Sequence, residues 1–237
     1  MLKAIKVYFV TVPWPLNTIL IICAASLLFK IFFLDTIPEA FFGAYKLGLI
    51  FEAITISMIA SYIFYFFVVH VREINQKRAL CSFLEYWARI MAKNTNGMII
   101  RMLRESGVEG DENTINQNLI DSVFESLEPE KYEAPMRIGT SKANWREYVC
   151  HNAFYIERQL EKMSRDPALL EIEIYRLIVK LQDSSYISSA NYYQNHPLAH
   201  LKGFSKMFAR TREDLNNLHS LVNEYTRKLQ LDQRLNY

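Results

Sequence analysis

The sequence predicts an all-α protein: an N-terminal transmembrane helical hairpin followed by a cytoplasmic α-helical bundle. Three observations predict it. Residues 16–34 and 47–71 are apolar runs, each long enough to cross a bilayer as a helix, since about 20 apolar residues at 1.5 Å rise match the ~30 Å hydrocarbon core. Only residues 35–46 separate them, too few for anything but a tight antiparallel connection. From residue 72 onward the chain is mostly polar, with apolar residues three and four apart and no alternating strand pattern of useful length.

The chain has 237 residues, enough for one membrane hairpin and one modest further domain. Its 51% hydrophobic content averages a greasy first third with a charged remainder. With 27 Lys and Arg against 25 Asp and Glu, no broad positive field exists to attract nucleic acid. Cys23, Cys81 and Cys150 lie far apart without a CxxC spacing, which suits a reducing compartment and places the large domain in the cytoplasm.

Residues 1–15 form a cytoplasmic N-terminus. Pro13 and Pro15 end any earlier helix and start the first span, residues 16–34, cleanly. Lys3 and Lys6 imitate the basic start of a secretory signal, but the apolar run is too long and is followed by Asp35-Thr-Ile-Pro-Glu39, so cleavage is not expected. Residues 35–46 are a short outer loop, and residues 47–71 the second span. Lys3, Lys6, Arg72, Lys77 and Arg78 outweigh Lys46 and the boundary residue Lys30, which sit beside Asp35 and Glu39, so both termini face the cytoplasm by the positive-inside rule. Tyr8, Trp14, Tyr45, Tyr62 and Tyr65 fall toward the span ends, where amphipathic rings favour the headgroup level.

Two charges lie inside the spans. Lys30 is four residues before the end of the first and Glu52 five after the start of the second, so a hairpin puts them at nearly equal depth. Charges at bilayer depth are costly and are usually paired, wet or snorkelling. Three uses remain open: a snorkelling Lys30 with a shallow, hydrated Glu52; a structural ion pair; or a ring of Glu52 carboxylates lining a conductive path in an oligomer. Ala53, Ser57 and Ser61, with Ala60 beside them, form a small-residue face suited to close helix packing, within one hairpin or between protomers.

Residues 72–237 read as cytoplasmic helices. The first carries Leu80, Phe83, Leu84, Trp87, Ile90 and Met91 and continues from the membrane. Asn94-Thr-Asn-Gly97 is expected to kink or break it before residues 98–103. Ile115, Leu119, Ile120, Val123, Phe124 and Leu127 describe a short helix ended by Pro129, and a loop runs to about Thr140. Ser141 is a natural N-cap for the next helix, through Trp145, Tyr148, Ile156 and Met163. Asp166-Pro167 reads as N-cap and first helical residue of another, bearing Ile174, Ile178 and Leu181. Residues 183–196, polar and tyrosine-rich, read as a surface loop. Phe204, Met207, Phe208, Leu215, Leu218, Val222, Tyr225 and Leu229 mark a long final helix, whose stripe faces either its own core or another subunit.

The chain has no P-loop, GxGxxG, GxSxG, HExxH or paired CxxC, so no catalytic residue, metal ligand or cofactor is assigned and no enzyme activity is expected. His196 and His200 have a chelating spacing, but Pro197 makes His196 a helix cap and no acidic or thiol partner is near in sequence. Cys150 and His151 are neighbours, about 100° apart on a helix, and do not face each other. Lys202, Lys206, Arg210 and Arg212, and further on Arg227, Lys228 and Arg234, form basic patches: solvated helix faces by default, contacts for nucleic-acid or lipid phosphates otherwise.

The stretch Phe41-Phe-Gly-Ala-Tyr-Lys-Leu-Gly-Leu-Ile50, continued through Ile59-Ala-Ser-Tyr-Ile-Phe-Tyr-Phe-Phe-Val-Val-His70, resembles the hairpin of a group of bacterial two-helix membrane proteins. The overall plan resembles the membrane effectors that accompany retron reverse transcriptases in anti-phage defence. The resemblance implies a bacterial inner-membrane protein with a periplasmic outer loop, kept dormant by a complex of reverse transcriptase with its RNA-linked DNA (msDNA) and released on infection to damage the membrane and stop growth. The expected partners are therefore the lipid bilayer, further copies of the chain in a homo-oligomer, and the reverse transcriptase–msDNA complex, with direct nucleic-acid contact left open. The alternative reading is a membrane-tethered scaffold whose helical domain recruits a cytosolic partner.

Overall fold

A computed structural model describes residues 8, 11–36, 43–110 and 114–234, with side chains up to Lys228. Lys3, Lys6, Glu39, Phe41 and Phe42, used above for topology and resemblance, lie outside the described residues, as do the side chains of Leu229 and Arg234. Among the described residues the chain is all-α apart from two strands of two residues each. It divides into two compact units, one comprising Met1–Arg78 with Leu229–Tyr237, the other Ala79–Lys228.

In the first unit, helix α1 (Trp14–Phe32) starts on Pro13, whose carbonyl accepts from the Leu16 N–H at 3.0 Å. Pro15 sits in the first turn, where a missing N–H breaks no helical bond. A 3₁₀ turn follows (Leu34–Thr36). Helix α2 (Ala44–Phe64) begins at Gly43, whose φ of 90° favours glycine. It runs without a break into a π-helical segment (Tyr65–His70) and then into α3 (Val71–Ser106), whose first turns belong to this unit. The stretches Trp14–Thr36 and Ala44 onward are long and apolar enough to cross a membrane.

Helices α1 and α2 face each other through two stripes at alternating spacings of three and four. On α1 the stripe is Leu16, Leu20, Cys23, Leu27 and Lys30; on α2 it is Gly48, Glu52, Thr55, Ile59 and Tyr62, continued by Phe66 of the π-helical segment, all buried or half-buried. The opposite faces expose mostly apolar residues, among them Ile21, Ile22, Leu28, Ile54, Ile56 and Phe64, with Ser57 and Ser61 on one flank.

In the second unit, the rest of α3 packs with α4 (Gln117–Ser126), α5 (Trp145–Met163), α6 (Ile172–Gln182), α7 (Ser185–Tyr193) and α8 (Lys202–Arg234) about one core that holds Phe124, Trp145, Tyr186, Phe204 and Phe208. Asn116 caps α4 by accepting from the Leu119 N–H at 2.9 Å. Asn144 and Glu147 form a reciprocal capping box at the start of α5.

Four sequence expectations are corrected here. Residues 94–97 do not interrupt α3: Thr95 and Met98 are buried, and Asn96 is held by Asn216 and Arg212, so packing outweighs the weak helix propensity. Residues 183–196 are not a surface loop but contain α7, which buries Tyr186, Ile187 and Ala190; nine residues are too few for their periodicity to stand out. Ser141 is not the α5 cap. It pairs within a small hairpin, β1 (Arg137–Ile138) with β2 (Ser141–Lys142), turned at Gly139 with φ 62°, and Asn144 caps instead. Asp166-Pro167 opens only a 3₁₀ turn (Pro167–Leu169), and α6 starts at Ile172.

Candidate functional site

The polar interior of the α1–α2 pair is the strongest candidate. Lys30 is 6% exposed, and its Nζ lies 2.8 Å from Glu52 Oε2 and 3.1 Å from Asp35 Oδ1. The 3₁₀ turn carries Asp35 back over the end of α1, and Gly48 lies against the Lys30 stem, where a Cβ would meet Cε at 3.4 Å, ordinary contact. One ammonium between two carboxylates leaves a formal charge of −1, and both acids are partly exposed. Of the sequence alternatives, the geometry is a hydrogen-bonded ion pair widened to a triad. Asp35, which bears on topology and cleavage in the sequence, is the third member that residue counting does not supply.

Further along, the Tyr62 hydroxyl donates to Asn17 Oδ1, and the Thr55 hydroxyl donates to the Phe51 carbonyl at 2.8 Å. Polar groups are thus turned inward along much of the pair. Ala53, Ser57 and Ser61 are not on this inner stripe: they are exposed and line an open groove on one flank with Leu16, Ile19 and Tyr65.

At the opposite end lies a cluster that sequence reasoning missed. His70, 5% exposed, places Nε2 2.9 Å from Thr11 Oγ1 and 3.2 Å from the Tyr8 carbonyl. Thr11 donates its own hydroxyl hydrogen to that carbonyl at 2.8 Å, so its oxygen must accept from His70, which puts a proton on Nε2. The Tyr8 hydroxyl donates to Asn75 at 2.8 Å and accepts from Arg78 at 3.1 Å, with the guanidinium 5.1 Å from the Tyr8 ring centre. The available signal was His70 itself, an ionisable residue at the close of an apolar run.

In the second unit, the four basic candidates do not make one patch. Lys202 is paired with Glu125 at 2.8 Å. Arg212 donates to Asn96 Oδ1 at 2.6 Å and to the Ile115 carbonyl at 3.2 Å, and burial pulls its guanidinium below its usual value. Lys206 and Arg210 are exposed along a shallow cleft shared with Gln117, Asn216 and Glu213. Lys228 is paired with Glu224, and Arg227 is exposed.

His196 is not a helix cap, because α8 begins six residues later. Its ring stacks on Tyr192 at 4.3 Å, and its Nδ1–H donates to the Tyr192 carbonyl. His200 stands outside any helix, so the two imidazoles share no helical face. Cys150 is buried, its thiol pushed up to about 11 by desolvation, while His151 is exposed. Among the described residues no group of three or more His, Cys, Asp and Glu could hold a metal ion. No family model matches the chain, and comparison with curated proteins and with solved structures yields no match.

Proposed function

We propose that the chain is a membrane effector whose α1–α2 pair spans the bacterial inner membrane with both termini in the cytoplasm, and whose copies assemble to permeabilise that membrane when released. The observation that supports this reading is the inverted polarity of the pair: a mostly apolar exterior that lipid tolerates, with a buried Lys30 in a charged triad and a line of hydrogen bonds on the inner side. Intramembrane ionisable residues are kept mainly where they serve a path or a switch. Two helices are too few to enclose a pore, so homo-oligomerisation is part of the proposal. Following the resemblance of the hairpin, the dormant state is held by a retron reverse transcriptase–msDNA complex and phage infection is the trigger.

Induction of the full chain with and without its neighbouring genes, followed with a membrane-potential dye, tests it. Depolarisation is expected when the chain is released from its partners, and Glu52→Ala or Ser57→Leu weakens it. Absence of depolarisation under any trigger, with both variants silent, overturns the reading. The scaffold alternative is favoured by the size of the second unit, Ala79–Lys228, which carries its own core. Replacing the hairpin by an unrelated one separates the two, because an anchor tolerates the exchange and a conducting assembly does not.

A further inference from the structure

The segment Tyr65–His70 bonds as a π-helix: the Val71 N–H donates to the carbonyl of Phe66, five residues back. Such turns are rare, hold one residue more than the α-helical turn they replace, and concentrate at functional sites. Here the segment ends on His70, the residue tied to Thr11 and the Tyr8 carbonyl ahead of α1. The extra residue and the buried bond therefore coincide, and both lie between the inner stripe of α2 and the first turns of α3.

We propose that Tyr65–His70 is a rotary latch. With His70 bonded to Thr11, the π turn holds the polar stripe of α2 against α1; with that bond broken, the segment relaxes to α-helix and swings α2 by one residue.

The size and direction of the swing follow from helix geometry. One residue is worth about 100° of helix rotation, and a π turn underwinds the chain by about that much. Relaxation overwinds the segment again, so each inner position of α2 passes to the residue after it. Gly48, Glu52, Thr55, Ile59 and Tyr62 turn away from α1, and Leu49, Ala53, Ile56, Ala60 and Ile63 take their places. The incoming set is wholly apolar and includes two alanines, so it packs closely on α1, where Lys30 keeps Asp35 as its partner. The outgoing set carries Glu52 and Thr55 outward and parts Glu52 from Lys30. In lipid, polar side chains turned outward find partners on other helices, so the released form presents to a second copy what the latched form hides. This last step rests on the effector reading above; the rotation itself rests only on α1 and α2 packing as a pair.

Spin labels at Thr55→Cys and at Ile56→Cys test it, in the full chain in lipid vesicles with Cys23, Cys81 and Cys150 replaced by alanine. Collision with dissolved oxygen reports which label faces lipid. With His70 intact, position 55 (4% exposed) is shielded and position 56 (49% exposed) is open. In His70→Ala, and in Thr11→Val, which keeps the shape and removes the nearer of the two acceptors, the ratio of accessibility at 56 to that at 55 inverts to below one. Deleting Val68 removes the extra residue without turning α2, so the deletion combined with His70→Ala keeps the original ratio. An unchanged ratio in both point variants overturns the latch. So does a rise at both positions, which means loosening without rotation. A label at Ile22→Cys that meets a water-soluble nickel chelate but little oxygen overturns the membrane reading instead, and the ratio at 55 and 56, read in detergent micelles, still decides the rotation.

Discussion

Lys30 illustrates how one residue constrains the hairpin. Its ammonium satisfies Glu52 at 2.8 Å and Asp35 at 3.1 Å, so removing it strands two carboxylates, of which Glu52 lies on the packed stripe. Removing one partner of a buried pair harms more than replacing both by apolar residues of similar size. Lys30→Met is therefore expected to lower the detergent-titration midpoint of hairpin unfolding, and Lys30→Met with Glu52→Leu to restore most of the loss. A double variant weaker than the single one contradicts the pairing. In the second unit, burial pushes the Cys81 and Cys150 thiols from their ordinary 9.0 up to about 11. The folded chain keeps these protons longer than the unfolded one, so the stability they contribute is intact below pH 9 and is lost as the pH climbs from 9 to about 11. The loss is on the order of 2 kcal/mol per thiol. Buried Tyr148 and Tyr186, also raised mainly by desolvation, act in the same direction. Urea unfolding across pH 8 to 11 checks this: Cys81→Ala with Cys150→Ala should flatten the decline without abolishing it, and an unchanged slope contradicts it.

At the scale of elements, α3 shows where local composition and packing disagree. Gly97 lies inside the helix, and a Cβ there meets nothing nearer than the Arg101 guanidinium at 3.9 Å. Gly97→Ala should therefore stabilise the unit by roughly 0.5 to 1 kcal/mol, seen as a higher thermal midpoint; a lower one would mean that the helix needs the glycine. The same element explains what could be read in advance. Long runs with a clear period, such as α8 and the two apolar stretches, announced themselves, because their burial comes from repeated spacing. Counting residues from the span ends puts Lys30 and Glu52 at one depth but leaves their pairing as one of three uses. Elements fixed by a few contacts did not: α7 is held by Tyr186, whose hydroxyl sits 3.1 Å from the Val149 carbonyl, and no spacing rule foresees that. Nor could the π turn be foreseen, since it coincides with a histidine meeting a threonine 59 residues away, which no local pattern shows.

In the whole chain, α3 and α8 each carry residues of both units. The proposed function requires that α1 and α2 cross a bilayer as a hairpin and leave the rest of the chain on the inner side. Labelling with a membrane-impermeant maleimide in intact cells tests this most directly. The chain carries Cys23, Cys81 and Cys150 replaced by alanine, and a single cysteine either at Lys46, exposed on the first turn of α2, or after Tyr237. The account predicts that Lys46→Cys is labelled from outside, and that the C-terminal cysteine is labelled only after the inner membrane is permeabilised. Labelling of the C-terminal cysteine in intact cells, or protection of both while the chain is recovered in the soluble fraction, would contradict it.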